Sequence, residues 1–428
     1  MRQVAIVALL VVSPVVTASD DFERTPVRYS QATPCNSVSR LQAKLDSGKL
    51  KLTYHKEHGY LPAVLTALNV PTSSQTLVFS KTSLQRSRIA PKSPRAIYFS
   101  DDMYVGFCQA GQVVEISAVD PKLGAVFYTL DQHETDRPTF ERQIDGCILC
   151  HGSSQTRNVP GHIVRSVYAD KWGEAILSLG STRVDQSTPF DRRWGGWYVT
   201  GTHGKQSHLG NLVIRNRNDQ ETIANNPEGR NVTDLKTFFD PASYLTPHSD
   251  LIALMVLEHQ AEAHNLIARA TIQTRLALHD QALLNKELGR SADEVSETTQ
   301  RRIKSVAEPL VRYLLFGGEA KLTDKVQGTS AFATDFAKQG PRDKKGRSLR
   351  EFDLTKRLFR YPCSYLVYSE AFREMPTVVR DHVYQRMHEV LIDRDYTGGF
   401  GHLSSDDRRA ILEILRDTMD DLPGYWRQ

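Results

Sequence analysis

The chain changes its hydrophobic rhythm three times. Between Val4 and Val16 almost every residue is apolar. From Ser37 to Leu50 the apolar residues Val38, Leu41 and Leu45 fall at helical spacing, and Leu61–Leu68 predicts a second short helix closed by Asn69 and Pro71. From Leu77 the runs become short and rich in β-branched and aromatic residues: Leu77–Phe79, Ala96–Phe99, Tyr104–Cys108, Val113–Val119 and Ala125–Leu130. Pro91, Pro94, Asp101, Gly111, Pro121 and Gly124 punctuate them, which predicts strands joined by turns. Ile163–Tyr168 and Ala175–Leu179 predict further strands, and residues 216–240 are polar enough for a linker. After Pro241 the period becomes helical. Thr246–Ser249 predicts a helix start, and Leu251–Leu257 is apolar on all sides, so that helix is buried and runs to about Leu288. A second helix spans about Val295 to Phe316, with Pro309 expected to kink or divide it. Tyr361–Phe372, Pro376–Ile392 and Ser404–Thr418 predict three more. The expected class is α+β: a small, mixed, β-rich N-terminal part (19–240), then an all-helical C-terminal part (241–428).

The first eighteen residues stand apart. Arg2 precedes the apolar run, and Val16-Thr17-Ala18 offers the small residues of a cleavage site. The run is short for a bilayer and contains Pro14. We read residues 1–18 as a signal peptide, with an uncleaved anchor as the alternative, and expect a periplasmic or otherwise exported protein. No later stretch predicts a transmembrane span. The net charge of +4, or +3 without Arg2, leaves no electrostatic footprint for nucleic acid.

The chemistry concentrates at Cys147-Ile148-Leu149-Cys150-His151. Two cysteines three apart, followed at once by histidine, form the attachment pattern of a c-type haem. One turn of backbone puts both thiols on one side, where each can form a thioether to a porphyrin vinyl group, and the adjacent imidazole becomes the proximal iron ligand. A disulfide, a redox dithiol and half of a zinc site are the alternatives. A redox dithiol usually follows a buried strand, and Thr139–Gly146 is not apolar. A zinc site needs a second close Cys or His pair, and none has the spacing. The motif occurs once, so one haem c per chain is expected. Cys35, Cys108 and Cys363 remain. Three allow at most one disulfide; Cys35–Cys108 is the preferred pair, against three buried free thiols.

The iron's other face separates carrier from catalyst, because a second strong ligand favours outer-sphere transfer and an open position lets small molecules bind. Candidates downstream are His162, His203, His208, His248, Met255, His259 and His264. His203 lies among the glycines and aromatics of Trp194–Gly204, a composition suited to backbone folding over a flat ligand. Met255 shares a helix face with His259. We favour His203, then Met255; for each imidazole taken alone, an ordinary hydrogen-bonded role competes. Arg192 and Arg193 are candidates for the haem propionates. His259 and Glu262 can be an acid/base pair or simply neighbours on one helix face.

The words Asp120-Pro121-Lys122-Leu123-Gly124, the motif itself, Pro160-Gly161-His162, Trp194–Gly204 and Met255–Gln260 together resemble exported c-type cytochrome-domain proteins of environmental bacteria. The resemblance covers most of the mature chain and implies haem c and, by default, electron transfer. The first expectation is a single-haem protein passing single electrons to or from a redox partner protein. The alternatives are a haem c oxidoreductase, peroxidase-like with an open iron, and a haem-based sensor or structural module.

Overall fold

The computed structural model describes residues 20–216, 226–395 and 397–427. The expected signal peptide, residues 1–18, lies outside them. The strands predicted between Leu77 and Leu130 form the centre of the fold. β1 (Thr76–Val78), β2 (Arg95–Phe99), β3 (Met103–Phe107), β4 (Val113–Asp120), β5 (Gly124–Asp131) and β6 (Phe140–Gln143) run as a meander, every neighbour antiparallel. After three short strands, β7 (Arg165–Val167), β8 (Ala169–Asp170) and β9 (Ser181–Arg183), β10 (Trp197–Tyr198) returns to pair with β1 at the sheet's edge. The tightest connection is Asp120–Gly124. Asp120 accepts the amides of Lys122 and Leu123 at 3.0 and 3.1 Å, and Gly124 takes the left-handed conformation that closes the turn.

Alternation sends the strand residues to two cores. On one face Ile116, Ala118, Val126 and Leu130 pack with α1 (Ser37–Asp46) and α2 (Leu61–Ala67). On the other, Phe99, Tyr104 and Val119 join a core built on the long helix of the second half. The one-turn α3 (Ile148–His151) carries the cysteine motif. The long helix is α4 (Leu251–Glu287), and every residue from Leu251 to Ala268 is buried. Asp250 caps it through the amides of Ile252 and Ala253, and its other oxygen takes those of Thr329 and Ser330. Around α4 stand α5 (Glu297–Leu314), α6 (Phe332–Lys338), α7 (Glu370–Arg373), α8 (Thr377–Leu391) and α9 (Ser405–Thr418). The α+β class is as expected. The second part carries one two-residue strand, Gln327–Gly328, paired with Gly201–Thr202, and a single core cluster takes residues from both sides of position 240.

Several expectations need correction. Ala175–Leu179 is not a strand: a 3-10 turn covers Leu177–Leu179, and Leu177 is exposed. Of the expected 216–240 linker, the described part buries Leu235 and Phe239 in the core. α5 continues through Pro309, which sits inside the helix. Tyr361–Phe372 becomes a 3-10 turn and the start of α7. Cys35–Cys108 is not formed, and all five thiols are free. The reason is the sheet. Cys35 donates its amide to Asp120 at one end of β4, while Cys108 follows β3 at the other. Seven residues of strand span roughly 23 Å, and a disulfide joins Cα atoms no more than about 7 Å apart.

Candidate functional site

The helical turn begins at Cys147, whose carbonyl accepts the His151 amide at 2.9 Å. Cys150 is exposed and Cys147 half-buried. Ser153 Oγ ties back to the Cys150 carbonyl at 2.8 Å, and Thr156 Oγ1 to that of His151 at 3.0 Å. Arg157 and Asn158, both left-handed, turn the chain so that Gly161 meets the motif. His151 and Gly161 then pair doubly. The Gly161 amide donates to the His151 carbonyl at 2.8 Å, and His151 Nδ1 donates to the Gly161 carbonyl at 2.9 Å. That second bond fixes the tautomer. Nδ1 holds the proton, and Nε2 keeps its lone pair, with no hydrogen bond to it among the described residues. Burial lowers the His151 pKa, which keeps the ring neutral.

The Gly161 carbonyl is itself held from α4. Asn265 Oδ1 accepts the His162 amide and Nδ2 donates to the His162 carbonyl, both at 2.8 Å. One turn earlier Glu262 pairs with Arg157 at 2.6 Å and Arg183 at 3.2 Å. A Cβ on Gly161 would collide with Asn265 Oδ1, so this close approach requires glycine.

Behind the motif lies a column of buried rings. Phe127 packs on His151 with centroids 4.7 Å apart and on His162 at 6.2 Å; His162 lies 4.1 Å from Tyr104. His162 Nε2 bonds Ser117 Oγ at 2.8 Å, and Tyr104 Oη bonds His264 Nδ1 at 2.9 Å. Among the described residues, no hydrogen-bond partner reaches His162 Nδ1 or His264 Nε2. Burial pushes both pKa values down, that of His264 to about 3, so both rings are neutral. His162 and His264 were weighed in the sequence and passed over. The signal that points to them is Pro160-Gly161, a turn that brings His162 back onto the motif.

The other candidates are held elsewhere. His203 is buried, its Nε2 accepts the Asn231 amide at 3.0 Å, and its ring neighbours are Phe190 and His208. Met255 is a core residue of α4. Arg192 is exposed at the end of a 3-10 turn. Arg193 is buried against Glu258, with Nε on the Thr188 carbonyl and Nη2 on the Gln186 carbonyl. It is a buried structural ion pair in which each nitrogen already makes a protein contact. His259 bonds Gln186 and Ser364, and Glu262 is committed to its arginines, so the two do not form an acid/base pair. A cavity of about 280 Å³ lies apart from the motif, lined by Ser100, Asp101, Asp102, Gln260, Phe332 and Phe336.

The donor set fits a covalently attached haem on three counts. Both thiols are free, Cys150 exposed and Cys147 half-buried. His151 presents an unprotonated nitrogen held from behind. Apolar side chains stand bare nearby: Leu149 between the cysteines is 82% exposed, and Ile144 just before them 40%. Exposed apolar surface of this kind is what a porphyrin face would cover. Among the described residues no three His, Cys, Asp or Glu come together to hold a metal ion. A haem asks less of the protein, one or two axial ligands. No family model matches the chain, and no curated protein or solved structure matches it. No helix among the described residues is long and apolar enough to cross a membrane.

Proposed function

We propose that this protein is an exported single-haem c protein that passes single electrons to or from a redox partner protein. The observation that carries the reading is the double pairing of His151 with Gly161 beside two free thiols. When bound, the haem supplies a one-electron iron couple. Cys147 and Cys150 anchor it and so fix its edge to α3. His151 offers Nε2 to the iron, and the Gly161 carbonyl, accepting from Nδ1, makes that nitrogen more basic and sets the ring's plane. Asn265 and Glu262 hold this loop against α4, so the ligand is placed by a helix buried in the core rather than by a surface turn.

Replacing Cys147 and Cys150 together with Ala, in protein expressed with c-type maturation, tests the reading. We expect haem that survives acid–acetone extraction in the parent and none in the variant. Covalent haem retained by the variant, or never acquired by the parent, refutes it.

One observation favours a second reading, a haem c oxidoreductase with an open iron face. His203 and Met255, the favoured ligands for that face, are both held away from His151. The ferric optical spectrum separates the two. A low-spin spectrum indifferent to cyanide means a six-coordinate carrier, and a high-spin spectrum that shifts with cyanide or peroxide means an open site.

A further inference from the structure

Next to the motif the sheet holds a charge pair. Arg95 on β2 and Glu115 on β4 meet at 2.5 Å, their side chains 19% and 13% exposed. The strand register places both on the face that carries Phe127. Glu115 lies across from Gly106 on β3 and from Thr129 on β5, two residues along from Phe127. Gly106 lies across from Ile97, two residues along β2 from Arg95. Glycine is needed at 106, because a Cβ there would collide with the Arg95 guanidinium. The loop before β2 closes over the pair: Ser83 and Gln85 donate to Glu115 at 3.4 and 3.1 Å, and Leu84 between them is exposed. Arg95 Nε is buried without a partner among the described residues. Thr129, across from Glu115, accepts Gln143 Nε2 at 2.8 Å just ahead of the motif, and Phe127 on the same face packs on His151 at 4.7 Å.

We propose that Arg95 and Glu115 exert opposed effects on the reduction potential of a haem held at Cys147, Cys150 and His151, Arg95 raising it and Glu115 lowering it. This rests on the haem reading above. A charge on the sheet face whose Phe127 packs on His151 would act on the iron's charge from the side of its histidine ligand. A nearby cation disfavours the oxidised, more positive iron, and a carboxylate favours it. As an intact pair the two largely cancel.

The test is spectroelectrochemical titration of haem-loaded parent, Arg95→Gln, Glu115→Gln, the double variant and Arg95→Lys, after acid–acetone extraction has confirmed covalent haem in each. At a fixed applied potential Arg95→Gln should lower the ratio of reduced to oxidised iron about tenfold, a shift of about 59 mV, and Glu115→Gln should raise it by a similar factor. The double variant and Arg95→Lys should stay within about threefold of the parent. A general disturbance of packing would move both single variants in the same direction. Covalent haem throughout with both potentials unchanged, or shifted with one sign, overturns the proposal and leaves the haem reading standing. No covalent haem in the parent overturns both. Glu115→Gln is nearly isosteric, so its rise can be read alone if Arg95→Gln fails to fold, and its absence would also refute the pair.

Discussion

Gly161→Ala should destabilise the protein through one identifiable atom, Asn265 Oδ1, and the second mutation should show it. The new Cβ would collide with that oxygen, which at the same time accepts the His162 amide. The alanine must push the Asn265 side chain away, break that bond, or lift the Gly161 carbonyl off His151 Nδ1. Overpacking of this kind costs about 1–3 kcal/mol. Asn265→Ala alone leaves the His162 amide and carbonyl without their partner, at about 1–3 kcal/mol for each buried group left unpaired. In the double variant the colliding oxygen is gone. Its total loss should then fall short of the sum of the singles by at least about 1 kcal/mol. The shortfall is not complete, because Thr156 Cβ also crowds the added methyl at 3.0 Å. Urea unfolding of the four proteins, with equal slopes as the check on two-state behaviour, measures the cycle. Additivity within about 0.5 kcal/mol would refute the reasoning, since neighbours in contact couple and distant sites do not. The same four proteins report on function. If the Gly161 carbonyl orients His151 and makes its Nε2 more basic, Gly161→Ala should raise the reduction potential or loosen the low-spin spectrum of the haem-loaded form, and an unchanged potential and spectrum would detach the pairing from the iron.

Three further outcomes follow from the same contacts. Arg193→Ala strands the buried Glu258 carboxylate and should cost about 3–5 kcal/mol in urea unfolding, yet leave the amount of acid-stable haem per folded chain unchanged; loss of haem from folded protein would return Arg193 to the cofactor. Burial raises the Glu319 pKa to about 7 from an ordinary value near 4.5, so the folded state holds a proton that the unfolded chain releases. Its contribution is full below about pH 4.5 and is lost as pH rises to about 7. Glu319→Gln should flatten the fall in stability over that window, and an unaltered slope would place the titration elsewhere. In the haem-free chain, iodoacetamide should label the exposed Cys35 and Cys150 within minutes and spare Cys108 and Cys363, buried thiols whose pKa values burial raises; mass spectrometry showing Cys108 labelled before unfolding would contradict its packing.

Much of the fold is legible from local signals because its central elements are locally consistent. The five runs from Leu77 to Leu130 are short, rich in β-branched and aromatic residues and separated by true turn residues, so a meander is the simplest way to pair them, and it forms with every neighbour antiparallel. The all-round apolarity of Leu251–Leu257 announces a helix buried on every side, and α4 is that helix. The misreadings fall where tertiary contact overrules local pattern. Pro309 stays inside α5, where helix and core contacts outweigh its missing amide. Leu235 and Phe239 lie in a polar stretch and still anchor it to the core.

The site divides on the same line. Cys147, Cys150 and His151 are contiguous, and their chemistry is carried by spacing alone. What holds them comes from Gly161, ten positions on, and from Glu262 and Asn265, more than a hundred positions beyond the residues they grip, and no periodicity reports such a pairing. His203 looked favourable because glycines and aromatics surround it in the sequence. In the fold Phe190, Trp194 and His208 close with it into a separate nest, Tyr198 packs elsewhere, and the Asn231 amide donates to its Nε2. The His162 backbone is the element that α4 grips, and through Gly161 it transmits that grip to His151. The buried polar residues of α4 make the same point. Glu258, Glu262 and Asn265 lie three or four apart on one helix face, where an apolar stripe would have packed as well. Each instead binds a different segment of the N-terminal half: Arg193, Arg157 with Arg183, and the His162 backbone. Hydrophobic burial alone would let this helix slide by a turn with little loss. Three directional contacts on one face fix its register against the loop behind the haem motif, which is a physical reason for a core helix to keep two carboxylates and an amide out of water.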